Sequence, residues 1–438
     1  MPVRMNAAII AFVVMMLLTM LGPLMTYESS GTAGTGSLVR QIGYLAVALI
    51  TVFAIHAETR LKRLDAIPWP MLLALAWCWA SLFWAIEPGI ALRRIVLTTL
   101  VIWSVFALVR AMGVDRTILI VRVILVLTLL ANYAAVYCDP TVGIHMVEEP
   151  GDGGLMGDWR GYMAHKNMAG LVTAMCVLFF LFYRENMPRY VQLPVLLAAV
   201  FFLAMTSSRT SVAVCAAAAV MGLFFTRYNF RYRGIAFTVL LALVIAAAVV
   251  QNVYQDPFLR TLNDPTAFTG RTVIWDALLR YYRDNPLLGS GYGSFWNIGP
   301  ASPMNRYGSD WLIGVQQAHN GFLDMLIQIG PIGLGVVIFA TIVMPMIKLL
   351  TARQVEGALG GLLFAILVFC IGHNATETSL FDRDSVGQVF VVLMIALLWT
   401  AASRRKNASR GGSTDLLSWA NRDDDQQFDT AGATAGKD

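Results

Sequence analysis

Five polar constellations interrupt an otherwise strongly apolar chain, and each has residue types suited to an anionic or hydroxyl-bearing ligand. They are His165-Lys166-Asn167; Arg209, within Thr206 to Ser211; Arg271; His319-Asn320; and His373-Asn374 with Glu377. Arg209 lies between two apolar runs with only hydroxyls beside it. A permanently charged guanidinium there is costly unless it meets an anion or water, or snorkels to an interface. Arg271 offers a planar fork for bidentate phosphate contact, and a second arginine could share a diphosphate's charge. Its plainer role is a surface salt bridge to Asp276 or Asp264. His319 could act as a general base, since an imidazole titrates near neutral pH, or could simply be hydrogen-bonded at an interface. His165 and Lys166 could bind phosphate or a sugar, or merely cap a helix and face water. Asn320, Trp275 and Glu377 stand beside these groups as supporting candidates.

Other short motifs carry less. Asp382-Arg383-Asp384 has the spacing of a metal-binding DxD, but the arginine offsets the acidic charge, and no metal site is expected. Gly289 to Gly293 is glycine-rich yet lacks the Lys-Ser/Thr of a nucleotide-binding loop. Gly151 to Gly154 reads as a turn. Four of the five cysteines, Cys78, Cys176, Cys215 and Cys370, lie in apolar runs without CxxC spacing, so they are expected to pack rather than to bond; Cys138 lies outside those runs.

The elements that position these groups follow from composition. Of 438 residues, 57% are hydrophobic and 13% charged, too little charge to cover a soluble protein of this length. The apolar residues come in runs long enough for a bilayer, which needs about 20 per helix. The fold class expected is all-α, a polytopic bundle of about twelve transmembrane helices. Starts are expected near Asn6, Gln41, Trp69, Leu92, Thr117, Met168, Val191, Ser211, Gly234, Gly321, Gly357 and Gly387. The apolar N-terminal run mimics a secretion signal but lacks a clear small-x-small cleavage site, so an uncleaved first helix is expected.

Alternate connections carry the basic residues: Arg60, Lys62 and Arg63; Arg110 and Arg116; Arg184 and Arg189; Arg227, Arg231 and Arg233; Lys348 and Arg353. Lys and Arg concentrate in cytoplasmic loops, which puts both termini in the cytoplasm and the five constellations outside it. The net charge of +5 is thereby accounted for without nucleic acid. Residues 1–403 form the expected membrane domain, and 404–438 a disordered cytoplasmic tail. Two outer loops are long, Tyr137 to Asn167 and about 252–320. Within the second, Ile274, Trp275, Leu278, Leu279 and Tyr282 fall at helical spacing. Gly270 precedes this segment and Asn285-Pro286 ends it, so an amphipathic helix is expected on the membrane surface or on the roof of the bundle.

Several stretches together resemble the O-antigen ligase and polymerase superfamily. They are Gly161 to Asn167; Ser207 to Thr210; Gly270 to Trp275; Asn285 to Gly289 with Gly291-Tyr292-Gly293; Ala318 to Leu323 with Gly330 to Leu334; and Asn374 to Leu380. The similarity runs from about Trp77 to Trp399. It implies a metal-independent, inverting glycosyltransferase with a GT-C-like membrane fold and no cofactor, in a bacterial inner membrane with its site on the periplasmic side. The donor would be a glycan on a polyprenyl (undecaprenyl) diphosphate, and the acceptor a glycan or lipid-linked hydroxyl. Arg209 and Arg271 would hold the diphosphate, His319 would assist the acceptor hydroxyl, and the outer spans would form a groove for the polyprenyl chain. Other polysaccharide assembly proteins would be partners.

The His-Lys-Asn form of the first motif and the short loop around Arg209 are closer to exopolysaccharide polymerases than to ligases acting on lipid A-core. A transporter or flippase is the alternative from another class. Against it, Arg122 is the one charged residue expected clearly inside a span, near an end where it could snorkel, while the polar groups crowd one face.

Overall fold

The computed structural model describes residues 2–27, 37–56, 64–146, 155–182, 187–236, 238–239, 271–308, 312 and 314–411. These are helical without a named strand; a single bridge joins Ile144 to Trp159. The first half comprises α1 (Pro2–Tyr27), α2 (Leu38–Ala54), α3 (Trp69–Ala80), α4 (Pro88–Met112) and α5 (Val114–Cys138). Then come α6 (Lys166–Phe182), α7 (Arg189–Met205) and α8 (Arg209–Phe225). After the second long loop, which holds α9 (Arg271–Asp284), follow α10 (Gly321–Ile338), α11 (Met344–Thr351), α12 (Gly357–Asn374) and α13 (Val386–Gly411).

Among the described residues six helices are long and apolar enough to cross a membrane, seven if the bent pair Arg209–Phe225 and Phe230–Ala236 is one span, against about twelve expected for the whole chain. Leu38–Ala54, Lys166–Phe182 and Arg189–Met205 are apolar but have 17 residues each. At about 1.5 Å per residue that is about 25 Å, short of a hydrocarbon core of about 30 Å. α7 stops where its apolar run meets Thr206-Ser207, and Ser207 takes φ +50. The span expected from Gly234 falls mostly outside the described residues, as do Gly151 to Gly154 and most of the tail. α13 itself continues to Gly411, past the expected boundary at 403.

The helix α13 forms the centre. Its residues 386–398 are all buried, as an all-round apolar helix requires, and it touches α4, α12 and α6. The helices α8 and α12 approach closely where Ala218, Gly222, Gly361 and Ala365 line the contact, the small-residue packing that replaces hydrophobic drive in lipid. α1 packs against α2 through buried Phe12, Met15, Met16 and Met20, so it belongs to the bundle. Cys78, Cys176, Cys215 and Cys370 are buried free thiols and Cys138 is exposed.

Arg122 departs from the expectation that it snorkels. It is 3% exposed, and its Nε and Nη2 donate to the Phe179 carbonyl at 3.1 and 2.7 Å, with the Phe180 ring 5.4 Å away. That carbonyl lies in the last turn of α6, where cations complete the open backbone acceptors and meet the negative end of the helix dipole. Nor is it alone among charges within spans: Asp324 in α10 is also 3% exposed, held by Trp296 Nε1 and Gln328 Nε2 at 2.5 and 2.7 Å.

The second long loop is seated on the bundle by a break in α10. Gly330 has φ +70, Pro331 follows it, and a side chain at 330 would meet the Leu287 carbonyl. The break leaves the Ile327 carbonyl open to Ser290 N at 3.0 Å, while Trp77 Nε1 donates to Ile329 O at 3.1 Å and Trp84 Nε1 to Leu288 O at 2.9 Å. Tyr292 completes the seam. Its hydroxyl donates to Phe381 O at 2.6 Å and lies 2.8 Å from Thr98 Oγ1. The glycines around it permit close approach, which gives the glycine-rich segment a packing role.

Candidate functional site

Helix ends and loops meet at one end of the bundle. Arg40, at the start of α2, pairs with Asp384 in the loop after α12, and that same loop carries Glu377. The far ends of α1, α2 and α4 therefore differ: Arg40 marks the end near Glu377, and Ala54 the opposite end.

Glu377 is the hub. Its Oε1 accepts from Asn167 Nδ2 and from Arg271 Nη2, each at 2.6 Å, and its Oε2 lies 3.4 Å from His319 Nδ1. Burial alone would raise its pKa. The hydrogen bond to His319 and the positive charge of Arg271 outweigh that and hold it down to about 2. The carboxylate is thus a negative charge that orients Arg271 and His319.

Each partner is delivered by a helix terminus. Arg271 opens α9, and its Nη1 also donates to the Thr376 carbonyl. Thr376 Oγ1 in turn lies 2.9 Å from Thr210 Oγ1, tying the loop to the start of α8. Asn167, in the first turn of α6, accepts from Ser208 Oγ at 3.1 Å while donating to Glu377. Ser208 and Thr210 flank Arg209, so the first residue of α8 is anchored to the cluster on both sides. The Arg209 side chain is exposed and has no hydrogen-bond or ion-pair partner among the described residues.

His319 is presented by its neighbour. Asn320 caps α10, its Oδ1 accepting from Phe322 N and Leu323 N at 3.1 and 3.0 Å. Its Nδ2 donates to Ala375 O at 3.2 Å, and its own N–H reaches Thr378 Oγ1 at 3.2 Å. Locked in this way, Asn320 holds His319 at φ +49, a left-handed conformation that the surrounding bonds must enforce. Gly321 fits because any side chain there would strike Asn374 Oδ1. Trp275 Nε1 donates to Ala318 O at 2.9 Å and fastens α9 to the same segment.

Arg271 and His319 thus each contact Glu377, and Arg209 stands in the chain between Ser208 and Thr210, which bond to Asn167 and Thr376. Of the two surface salt bridges considered for Arg271, Asp276 instead pairs with Arg280 at 3.1 Å, and Asp264 lies outside the described residues. The apolar face of α9 packs on the chain itself. Ile274, Ala277, Leu278 and Tyr281 bury themselves against Phe295, Trp296 and Ala318, which makes it the roof. The true face is turned slightly from the expected one, with Trp275, Leu279 and Tyr282 only half-buried.

His165 and Lys166 sit one step away. His165 Nδ1 accepts from Asn167 N at 3.1 Å, capping α6, and Lys166 Nζ pairs with Asp158 at 2.5 Å. The His165 ring lies 5.4 Å from that of His145, whose pKa falls to about 4 through burial and the nearby His165. Asp382 and Asp384 are each taken by an arginine, Arg383 and Arg40. Sequence reasoning missed Thr376 and Asp158. Nothing in an isolated threonine or aspartate signals its role, although Thr376 lies within the Asn374 to Leu380 stretch.

Residues 194–339 match the family model described as O-antigen ligase, which supports the O-antigen ligase and polymerase superfamily and a glycosyltransferase-like membrane protein. The matched segment contains Arg209, Arg271, Trp275, His319 and Asn320. No curated protein matches the chain.

Proposed function

We propose that the chain transfers a glycan from a polyprenyl diphosphate to an acceptor hydroxyl, with inversion, at the site around Glu377, and that it is a surface-polysaccharide polymerase. The observation that carries this reading is the convergence of Arg271 and His319 on one buried carboxylate, with Arg209 beside them.

The donor bond that breaks joins the anomeric carbon to a diphosphate oxygen, which leaves with its electron pair. Arg271 spends one donor on Glu377 and one on Thr376 O, so three of its five N–H groups remain for the leaving diphosphate. Arg209 brings a further full charge, and together they offset charge that grows in the transition state. With its Nδ1–H directed to Glu377, His319 has a lone pair on Nε2. That nitrogen takes the proton as the acceptor oxygen bonds to the anomeric carbon from the opposite face. Glu377, ionised throughout the working range, stabilises the imidazolium so formed.

On this reading the active site is periplasmic, both termini are cytoplasmic, and the membrane is the bacterial inner membrane, as the sequence bias of Lys and Arg toward alternate connections supports. His165 and Lys166 line the approach to the donor. The description of the matched family favours a second reading, a ligase delivering finished glycan to lipid A-core. The two separate on gels of extracted glycolipid. Loss of the gene removes long polymer and leaves single repeats on the carrier if the protein is a polymerase; polymer persists, detached from lipopolysaccharide, if it is a ligase. Purified protein given carrier-linked donor and a choice of acceptors tests the chemistry itself, and absence of transfer to any acceptor would sink both.

A further inference from the structure

The end of the bundle opposite Glu377 holds a cavity of about 450 Å³ between α1, α2 and α4. Its floor is cut short by alanines: Ala8 and Ala54 from α1 and α2, Ala107 and Ala111 from α4, with Ala66 at the side. Its rim is basic, carrying Arg4 and Arg110 with His56, and there is no carboxylate among the described lining residues. Arg116 adds to the rim by donating to Met5 Sδ at 2.9 Å, and Met5 itself lines the cavity. Arg110 and Arg116 are exposed, and their hydrogen bonds go to the Asp65 carbonyl at 2.7 Å and to that thioether. Neither acceptor neutralises a guanidinium.

An apolar recess between membrane-crossing helices, open beneath a ring of arginines at the helix ends, selects a ligand with two parts. One part is an anion at headgroup depth, and the other is hydrocarbon reaching inward. We propose that this cavity binds an anionic phospholipid, its phosphate held by Arg110 and the neighbouring rim and the start of an acyl chain lying on the alanine floor. About 450 Å³ accommodates a headgroup and a short length of chain. A free phosphate would satisfy the rim but leave the apolar floor uncovered, so the lipid is the better fit. The site is remote from Glu377 and does not depend on the transfer reaction.

The test uses the full-length protein equilibrated in detergent with equal phosphatidylglycerol and phosphatidylcholine, with bound lipid counted by native mass spectrometry. Phosphatidylglycerol is expected to be retained preferentially. Arg110→Ala should lower that retention about tenfold, the worth of one charged hydrogen bond. Ala111→Phe, which fills the floor without altering charge, should lower it comparably; if that variant fails to fold, Ala66→Phe fills the recess from the other wall. Equal retention of the two lipids would overturn the proposal. So would loss of phosphatidylglycerol in Arg110→Ala with full retention in the cavity-filling variant, since attraction would then be to surface charge alone. Displacement of the lipid by millimolar inorganic phosphate would show a plain anion site and equally end the proposal.

Discussion

Two arginines of this molecule are both held by protein acceptors and differ in what those acceptors leave open. Arg122 lies deep between α5 and α6, with its Nε and Nη2 on one backbone carbonyl and an aromatic ring beside it. Arg271 lies at a helix start, bonded to a carboxylate and a carbonyl, in contact with a hydroxyl-bearing loop and 15% exposed. The first completes a helix terminus and has nowhere to meet a ligand. The second is oriented by partners that leave donors open toward solvent. A charge within an apolar sequence is therefore no sign of function by itself; what matters is whether its partners are spent inward or leave a face available.

The sharpest way to break this contrast is to delete each guanidinium. Arg271→Ala is expected to lower transfer per folded molecule by about 100- to 1,000-fold, the usual cost of losing a preorganised charge-stabilising donor, and to lower the thermal midpoint as well, because the buried Glu377 carboxylate loses its guanidinium partner. Arg122→Leu should cost stability alone, about 1–3 kcal/mol through the stranded Phe179 carbonyl, while turnover per folded molecule stays within about twofold. Turnover and thermal unfolding measured on both variants decide it, and a large activity loss in Arg122→Leu would erase the distinction.

Arg209→Ala should approach the Arg271→Ala loss, because its exposed side chain has no structural bond to lose. Arg271→Lys should recover only part of the activity, since an ammonium cannot make the forked contact.

Glu377→Gln removes the charge that orients both Arg271 and His319. Turnover is expected to fall about ten- to a hundredfold, corresponding to one charged hydrogen bond of about 1.5–3 kcal/mol. The variant also alters stability against pH in a defined direction. Glu377 has its pKa depressed from 4.5 to about 2, so its contribution is fully present above 4.5 and is lost as pH falls toward 2. Thermal midpoints recorded across that window should lose this component in Glu377→Gln and keep a flat profile from this group at neutral pH. The smallest effect is assigned to Lys166→Met, less than about tenfold in turnover, since its ammonium is already paired with Asp158. A loss equal to that of Arg271→Ala would move Lys166 into direct diphosphate contact.

The helices were legible in the sequence because apolar runs and lipid thickness share a length scale. Their lengths were less so: α2, α6 and α7 have 17 residues each, and α10 is broken at Gly330-Pro331 by contact with a loop far away in the chain. Arg271, His319 and Arg209 were legible as residue types that handle phosphate or protons. Glu377 could be named only as a supporting residue, since its importance lies in joining Asn167, Arg271 and His319, which are up to 210 residues apart in sequence from it. The burial of Arg122 was hidden for the same reason: its partner carbonyl belongs to another helix, and any residue could have supplied it.

The proposed chemistry rests most directly on the imidazole beside Glu377. Purified His319→Ala, given saturating carrier-linked donor and acceptor, should transfer glycan at least about a hundredfold more slowly than the parent protein while its donor Kd is unchanged. Undiminished single-turnover transfer in that variant would contradict a general base at this position and with it the assignment of the site.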